Sequence, residues 1–182
     1  CKQPNPIPAQ EIIFSVTRLL TCMFEFKDGH ASDLLKVIEG CFIFALTWSV
    51  GAAVDGPGRV RFDKFLRTLL AGEADELDDF KDFLIKNPDY SGDSTRKAMV
   101  LPPDACLLYD LIYDSKTAKW LNWLDGQPVF KIDRDAQFNS IVVPTIDTIR
   151  HDWLLSTLLA RGYHVMCTGE TGTGKSVSVK SK

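Results

Sequence analysis

The chain has 182 residues, of which 45% are hydrophobic and 25% charged, and its net charge is −3. This balance is ordinary for a soluble globular protein of one domain or two small ones, and the lack of a basic stripe argues against a nucleic-acid binder. Five scattered cysteines (Cys1, Cys22, Cys41, Cys106 and Cys167) make no C-x-x-C pair or Cys/His cluster. Neither a zinc site nor a secreted disulfide framework is therefore expected, and a reduced, intracellular setting is.

The polar, proline-rich start (Cys1-Lys2-Gln3-Pro4-Asn5-Pro6) does not read as a signal peptide. Pro8 suits the first turn of a helix. Ile12, Ile13, Val16, Leu19, Leu20 and Met23 then recur at helical spacing until Gly29 and His30. Ser32 is a good N-cap for a second helix over 33–50, to which Leu34, Leu35, Ile38, Phe42 and Trp48 give an apolar face. Its later half is apolar all round, as in the centre of a bundle. The apolar run 41–54 falls short of the roughly 20 residues of a spanning helix, so it is read as a core helix and no membrane partner is expected.

Gly56-Pro57-Gly58 reads as a turn, followed by a third helix over 59–70 with Phe62, Phe65, Leu66, Leu69 and Leu70 inward. Arg59, Arg61, Lys64 and Arg67 project from that helix as a mainly solvated set. From Gly72 to Pro103 the pattern weakens to acids, turns and short helix, and the acids are read as a solvated loop or helix start. The runs 107–113 and 119–123 read as a hairpin about a polar turn, with Trp120 and Trp123 as packing residues. Pro144 keeps 141–143 extended. Asp147 can cap a helix carrying Ile149, Trp153, Leu154, Leu158 and Leu159, stopped by Gly162.

Residues 169–176 fit G-x-x-x-x-G-K-[ST], with Gly169, Gly174, Lys175 and Ser176 in the required places. Val165-Met166-Cys167 reads as the buried strand before this loop, and Val177 onward as the opening of a helix. The residue types follow from the ligand. A triphosphate needs several converging backbone N–H donors, and a helix N-terminus supplies them with a favourable dipole. Gly169, Gly172 and Gly174 let the backbone approach closely and adopt positive φ. Lys175 reaches the β- and γ-phosphates as a point charge, and Ser176 places a hydroxyl on Mg²⁺. The alternative is a glycine-rich turn that binds nothing. A P-loop ATPase also needs an acid for Mg²⁺ and a residue that positions water. Neither is found here, so the chain is expected to be a piece of a larger protein with no catalytic residue of its own.

Several segments together resemble dynein heavy chains: Phe42 to Gly51, Gly58 to Arg67, the hairpin with Tyr109-Asp110 and Lys119-Trp120, and Val142-Val143-Pro144-Thr145-Ile146-Asp147-Thr148-Ile149-Arg150 ahead of the P-loop. The similarity runs from about Phe14 onward, and Trp48-Ser49-Val50-Gly51 with Asp55-Gly56-Pro57-Gly58-Arg59 leans toward axonemal forms. The resemblance implies a mixed α and β fold. Residues 1–126 would be the C-terminal helical part, with a hairpin, of the second AAA+ module. Residues 127–182 would be the linker, helix and P-loop start of the third.

It also implies a site. Val143, Pro144 and Thr145 would lie by the adenine. Gly169, Glu170, Thr171, Gly172, Thr173, Gly174, Lys175 and Ser176 would hold the phosphates of ATP or ADP, with Ser176 on Mg²⁺. The third module is regarded in the family as regulatory, gating the main motor site. Implied partners are neighbouring AAA+ modules, microtubules through parts outside this chain, and intermediate and light chains. The implied setting is the cytoskeleton of a cilium or flagellum. Glu170 departs from the pattern, because the family often has proline there, and an acid adds negative charge beside phosphate. The competing readings are another P-loop enzyme, such as a kinase or a different AAA+ ATPase, and a non-hydrolysing structural module with a degenerate P-loop.

Overall fold

A computed structural model describes residues 7–24, 34–93, 95–125, 127, 143–168, 171, 172, 174, 176 and 179. The chain divides into two compact units, Cys1–Trp120 and Leu121–Lys182.

In the first unit, helix α1 (Ala9–Met23) starts after Pro8 and has Glu11 in its first turn, where a negative charge complements the helix dipole. It buries Leu19, Cys22 and Met23, whereas Ile13 remains 63% exposed. The helix packs on α2 (Leu34–Ser49), and Ser15 Oγ donates to Ser49 Oγ at 3.0 Å. The expected N-cap Ser32 lies outside the described residues.

Helix α2 is the centre of the unit, but not through the predicted face. Its buried residues are Gly40, Cys41, Ile43, Phe44, Ala45, Thr47 and Ser49, while Leu34, Leu35, Ile38 and Phe42 are exposed. A helix apolar on most sides has no single stripe to favour. The neighbours decide, and here they are Tyr109 and Tyr113. Tyr113 Oη donates to Lys36 O at 3.0 Å and Tyr109 Oη to Gly51 O at 2.7 Å. Thr47 answers its own polarity by donating to Ile43 O at 2.8 Å. With the 3-10 turn Gly51–Ala53, the helical stretch Leu34–Ala53 reaches 20 residues and is, by length and composition, long and apolar enough to cross a membrane. Its tyrosine contacts and buried face are those of a core helix.

Gly56-Pro57-Gly58 is the first turn of helix α3 (Gly56–Leu70) rather than a free turn. Asp55 is the N-cap, its Oδ1 accepting from Gly58 N at 2.8 Å, and proline is tolerated in the first turn where no intrahelical N–H is needed. Phe62 and Leu66 of α3 join Ile43, Leu108 and Tyr109 in the core. Burying each of these large side chains contributes about 2 kcal/mol. Beyond α3, a 3-10 turn (Ala74–Glu76) leads to α4 (Asp78–Lys86), where Asp78 and Asp79 occupy the first turn.

The first of the two β-rich runs is strand only in part. Leu108–Asp110 forms a 3-10 turn, and β1 is Leu111–Asp114, paired with β2 (Lys119–Asn122). Propensity is overridden here because Asp110 Oδ2 accepts from Leu107 N at 3.1 Å and Asp63 Oδ1 from Leu108 N at 2.7 Å. Both bonds hold the backbone out of a ladder. In the hairpin turn, Ala118 sits at φ 54°. That left-handed conformation costs a residue with a Cβ about 1 kcal/mol. Ala118→Gly is therefore expected to raise stability by about 0.5 kcal/mol, read as a higher urea midpoint at unchanged m.

In the second unit, α5 (Ile146–Ala160) is capped by Thr145 and not by Asp147. Thr145 Oγ1 accepts from Thr148 N at 3.2 Å while Thr148 Oγ1 accepts from Thr145 N at 2.7 Å, so two orphan donors are met reciprocally. Asp147 sits in the first turn and pairs with Arg150 at 3.1 Å. Gly162, at φ 76°, closes the helix with Gly162 N bonding Leu159 O and Tyr163 N bonding Leu158 O, the paired closure that needs a left-handed residue. Trp153 meets the buried Trp123 edge-on, with centroids 5.7 Å apart.

The described cysteines Cys22, Cys41, Cys106 and Cys167 are all free thiols. Burial pushes the Cys41 thiol up to about 11 and raises the Tyr109 phenol as well. Both groups favour the neutral form when folded, so their contributions are complete at neutral pH; that of Cys41 is lost as pH rises from about 9 through 11, and that of Tyr109 declines only above its ordinary value of 10. Unfolding free energy is expected to fall across that window, and Cys41→Ala should flatten part of the fall in urea titrations at successive pH values.

Candidate functional site

The residues expected to cover an adenine and those expected to hold phosphates all lie in the second unit, Leu121–Lys182. Val143, Pro144 and Thr145 are exposed, Val143 at 58%. Thr145 is occupied by the cap of α5, which leaves the Val143 and Pro144 surfaces as the part of this segment open to an apolar ring.

Tyr163 through Thr168 run without regular structure, and Met166 is 85% exposed. The buried strand expected over 165–167 is not formed. A strand is stable only when a neighbour takes its backbone hydrogen bonds, and among the described residues the only sheet is β1 with β2.

At two of its glycines the loop has the positive φ expected of them, and the third, Gly169, lies outside the described residues. Thr171 and Gly172 form a turn, with Gly172 at φ 85° and Gly174 at φ 79°. Both values lie in the region that favours glycine. A Cβ built on either would meet nothing within 4 Å among the described residues. Ser176 and Val179 are helical and exposed. A glycine turn therefore passes into a helical segment at the residue whose hydroxyl was assigned to a metal. Gly169, Glu170, Thr173 and Lys175 lie outside the described residues. Among the described residues, no group of three or more His, Cys, Asp or Glu side chains is gathered for a metal. The Ser176 hydroxyl is an oxygen donor of the kind that a hard cation such as Mg²⁺ accepts.

Sequence reasoning missed a polar hub in the first unit. Arg67 does not project into solvent with Arg61 and Lys64. Its Nε donates to Asp63 Oδ2 at 3.0 Å, Nη1 to Pro102 O and Asp104 Oδ1 at 3.1 Å each, and Nη2 to Cys106 O at 2.7 Å. Arg59 lies over the Tyr109 ring at 5.1 Å. Asp63 and Arg67 line a cleft of about 400 Å³ with Thr68, Leu101 and Pro102. The i, i+4 spacing of Asp63 and Arg67 was the available signal. Nothing local told that the pair would reach the segment 102–108.

The G-x-x-x-x-G-K-[ST] pattern at 169–176, with left-handed Gly172 and Gly174 ahead of helical Ser176, fits the P-loop class. The comparisons are more specific. Residues 1–125 match the family described as "Dynein heavy chain AAA lid domain", and residues 130–182 match "P-loop containing dynein motor region". The chain belongs to the dynein heavy chain family, and its helices and short sheet fit the mixed AAA+ architecture expected of it.

Among its relatives, dynein axonemal heavy chain 1 of Mus musculus is 31% identical over 181 residues, 94% of this chain and 4% of that protein. Dynein axonemal heavy chain 12 of Homo sapiens is 35% identical over 146 residues, 79% of this chain and 4% of that protein. The dynein-1-alpha heavy chain of the flagellar inner arm I1 complex, from Chlamydomonas reinhardtii, is 32% identical over 182 residues, 98% of this chain and 4% of that protein. The chain thus spans about 4% of the length of these relatives.

Proposed function

We propose that this chain is the nucleotide-binding passage between two consecutive AAA+ modules of an axonemal dynein motor. Residues 1–126 are the helical end and hairpin of the second module, and residues 127–182 open the third. Residues 169–176 hold the phosphates of ATP or ADP, Lys175 meets the β- and γ-phosphates, and Ser176 holds Mg²⁺. Val143 and Pro144 cover the adenine, with Thr145 fixed beside them by its cap. The observation that carries this reading is the pair of left-handed glycines, Gly172 and Gly174, leading into helical Ser176 within the stretch that matches a dynein P-loop region.

The site acts by regulation. The change that nucleotide binding makes at this loop passes through the ring to the main motor site. Neighbouring modules of the same heavy chain are the direct partners. Microtubules and the intermediate and light chains are engaged by other parts of the parent protein, in a ciliary or flagellar axoneme. Bound Mg²⁺ would neutralise phosphate charge. The protein's own part is to orient the phosphates with backbone N–H groups and to aim Lys175 at them.

Fluorescent ATP titrated into the chain, extended through the remainder of its module, tests this. Lys175→Ala is expected to weaken binding by about thirtyfold, because a charged hydrogen-bond partner of phosphate is removed. Equal binding by both forms would refute the phosphate assignment. No binding by either form would favour a structural module with a degenerate P-loop, with Glu170→Pro as the first reversion to try.

A further inference from the structure

Thr148 is tied to Thr145 by more than a helix cap requires. Its Oγ1 accepts from Thr145 N at 2.7 Å and donates to Thr145 O at 2.8 Å, so one hydroxyl holds both backbone groups of Thr145. Thr145 Oγ1 accepts from Thr148 N at 3.2 Å in return, and Ile149 N bonds Thr145 O at 3.0 Å. The same turn is anchored by Arg150, which is only 6% exposed and pairs with Asp147. Ahead of this clamp the chain is stiff by composition. The Pro144 ring fixes φ, and a residue before proline, here Val143, is held extended. The clamp also decides which backbone groups stay open. Pro144 has no N–H, and both groups of Thr145 are spent on Thr148 and Ile149. Over 144–145, the one backbone group without a partner among the described residues is the Pro144 carbonyl, an acceptor.

Resting on the reading that Val143 and Pro144 cover the base, we infer that Thr148 is a positioning residue that sets base specificity. Its hydroxyl keeps the Val143–Pro144 segment in shape before nucleotide arrives, and it withholds the Thr145 N–H from the base. A segment already ordered loses less freedom on binding, which strengthens the grip on the base without adding a contact. An open carbonyl suits the exocyclic amine of adenine and is repelled by the carbonyl oxygen that guanine carries in its place. Were the Thr145 N–H released, it would be a donor beside that carbonyl, and the guanine oxygen could accept from it. Thr148 acts through Thr145 and needs no contact with the nucleotide itself.

The test is photolabelling of the full heavy chain with ATP that carries a photoreactive azide on its adenine. Mass spectrometry reads the label on the peptide holding residues 143–145, while ATP, GTP and tripolyphosphate compete. In the parent, ATP is expected to protect that peptide at a lower concentration than GTP. Thr148→Val removes the hydroxyl at similar volume. It is expected to raise the ATP concentration needed about tenfold, to narrow the ATP-to-GTP preference by a similar factor, and to leave tripolyphosphate unchanged. Thr148→Ser retains the hydroxyl and should restore the parent preference. An equal loss for ATP, GTP and tripolyphosphate would reveal a structural cap only and overturn the inference. So would an unchanged preference on a peptide that is labelled. A parent in which this peptide takes no label would instead refute the adenine assignment, and the inference with it.

Discussion

Replacing Asp63 with alanine is expected to lower the unfolding free energy by about 3 kcal/mol. Asp63 is only 7% exposed, and its two oxygens serve different elements. Oδ1 accepts from Leu108 N at 2.7 Å and Oδ2 from Arg67 Nε at 3.0 Å. Alanine would leave a buried backbone N–H unmet and remove the carboxylate nearest a largely covered guanidinium. The Arg67 contact with Asp104 compensates little, because the Asp104 side chain is 97% exposed and solvent screens it. Asp63→Asn keeps an acceptor for Leu108 N and should cost about half as much. Urea unfolding of Asp63→Ala, Arg67→Ala and the double variant measures the coupling. If the two single losses simply add, the hub is not the tie between α3 and the segment 102–108.

The second large effect is expected at Gly40. An alanine Cβ there would fall 2.1 Å from Tyr113 Cζ and 2.3 and 2.5 Å from the two Cε atoms. The ring has little freedom to give way, since Tyr113 is 2% exposed and its hydroxyl is bound to Lys36 O. Overpacking of this severity should cost about 3 kcal/mol, more than the roughly 1 kcal/mol that alanine gains over glycine in a helix. Tyr113→Leu in the same chain opens the space, so the double variant should be more stable than the sum of the single effects predicts, by over about 1 kcal/mol. Additive losses, or a stabilised Gly40→Ala, would show that the ring does not rest on the glycine.

These two sites mark the division between pattern and packing. The helices α1, α2, α3 and α5 follow from apolar spacing, and the hairpin from two β-rich runs about a polar turn, because these signals act over a few residues. The glycine turn of 169–176 was legible for the same reason. Gly172 and Gly174 adopt the positive φ that glycine alone takes without strain. The family, too, was carried by linear stretches of sequence.

Direction was a different matter. Leu34, Leu35, Ile38 and Phe42 form as good a stripe as the one that is buried, so periodicity named the wrong face of α2. Tyr113, far along the chain, settles the choice by laying its ring on Gly40. Asp55 made a helix start of what looked like a turn, and Thr145 took the cap from Asp147 through a reciprocal bond with Thr148. The strand expected at 165–167 lacks a ladder among the described residues. Sequence by itself determined which segments are helical, where glycine must bend the phosphate loop, and to which family the chain belongs. Tertiary structure alone decided which faces are buried and which charges pair, because those depend on groups brought together across long stretches of chain.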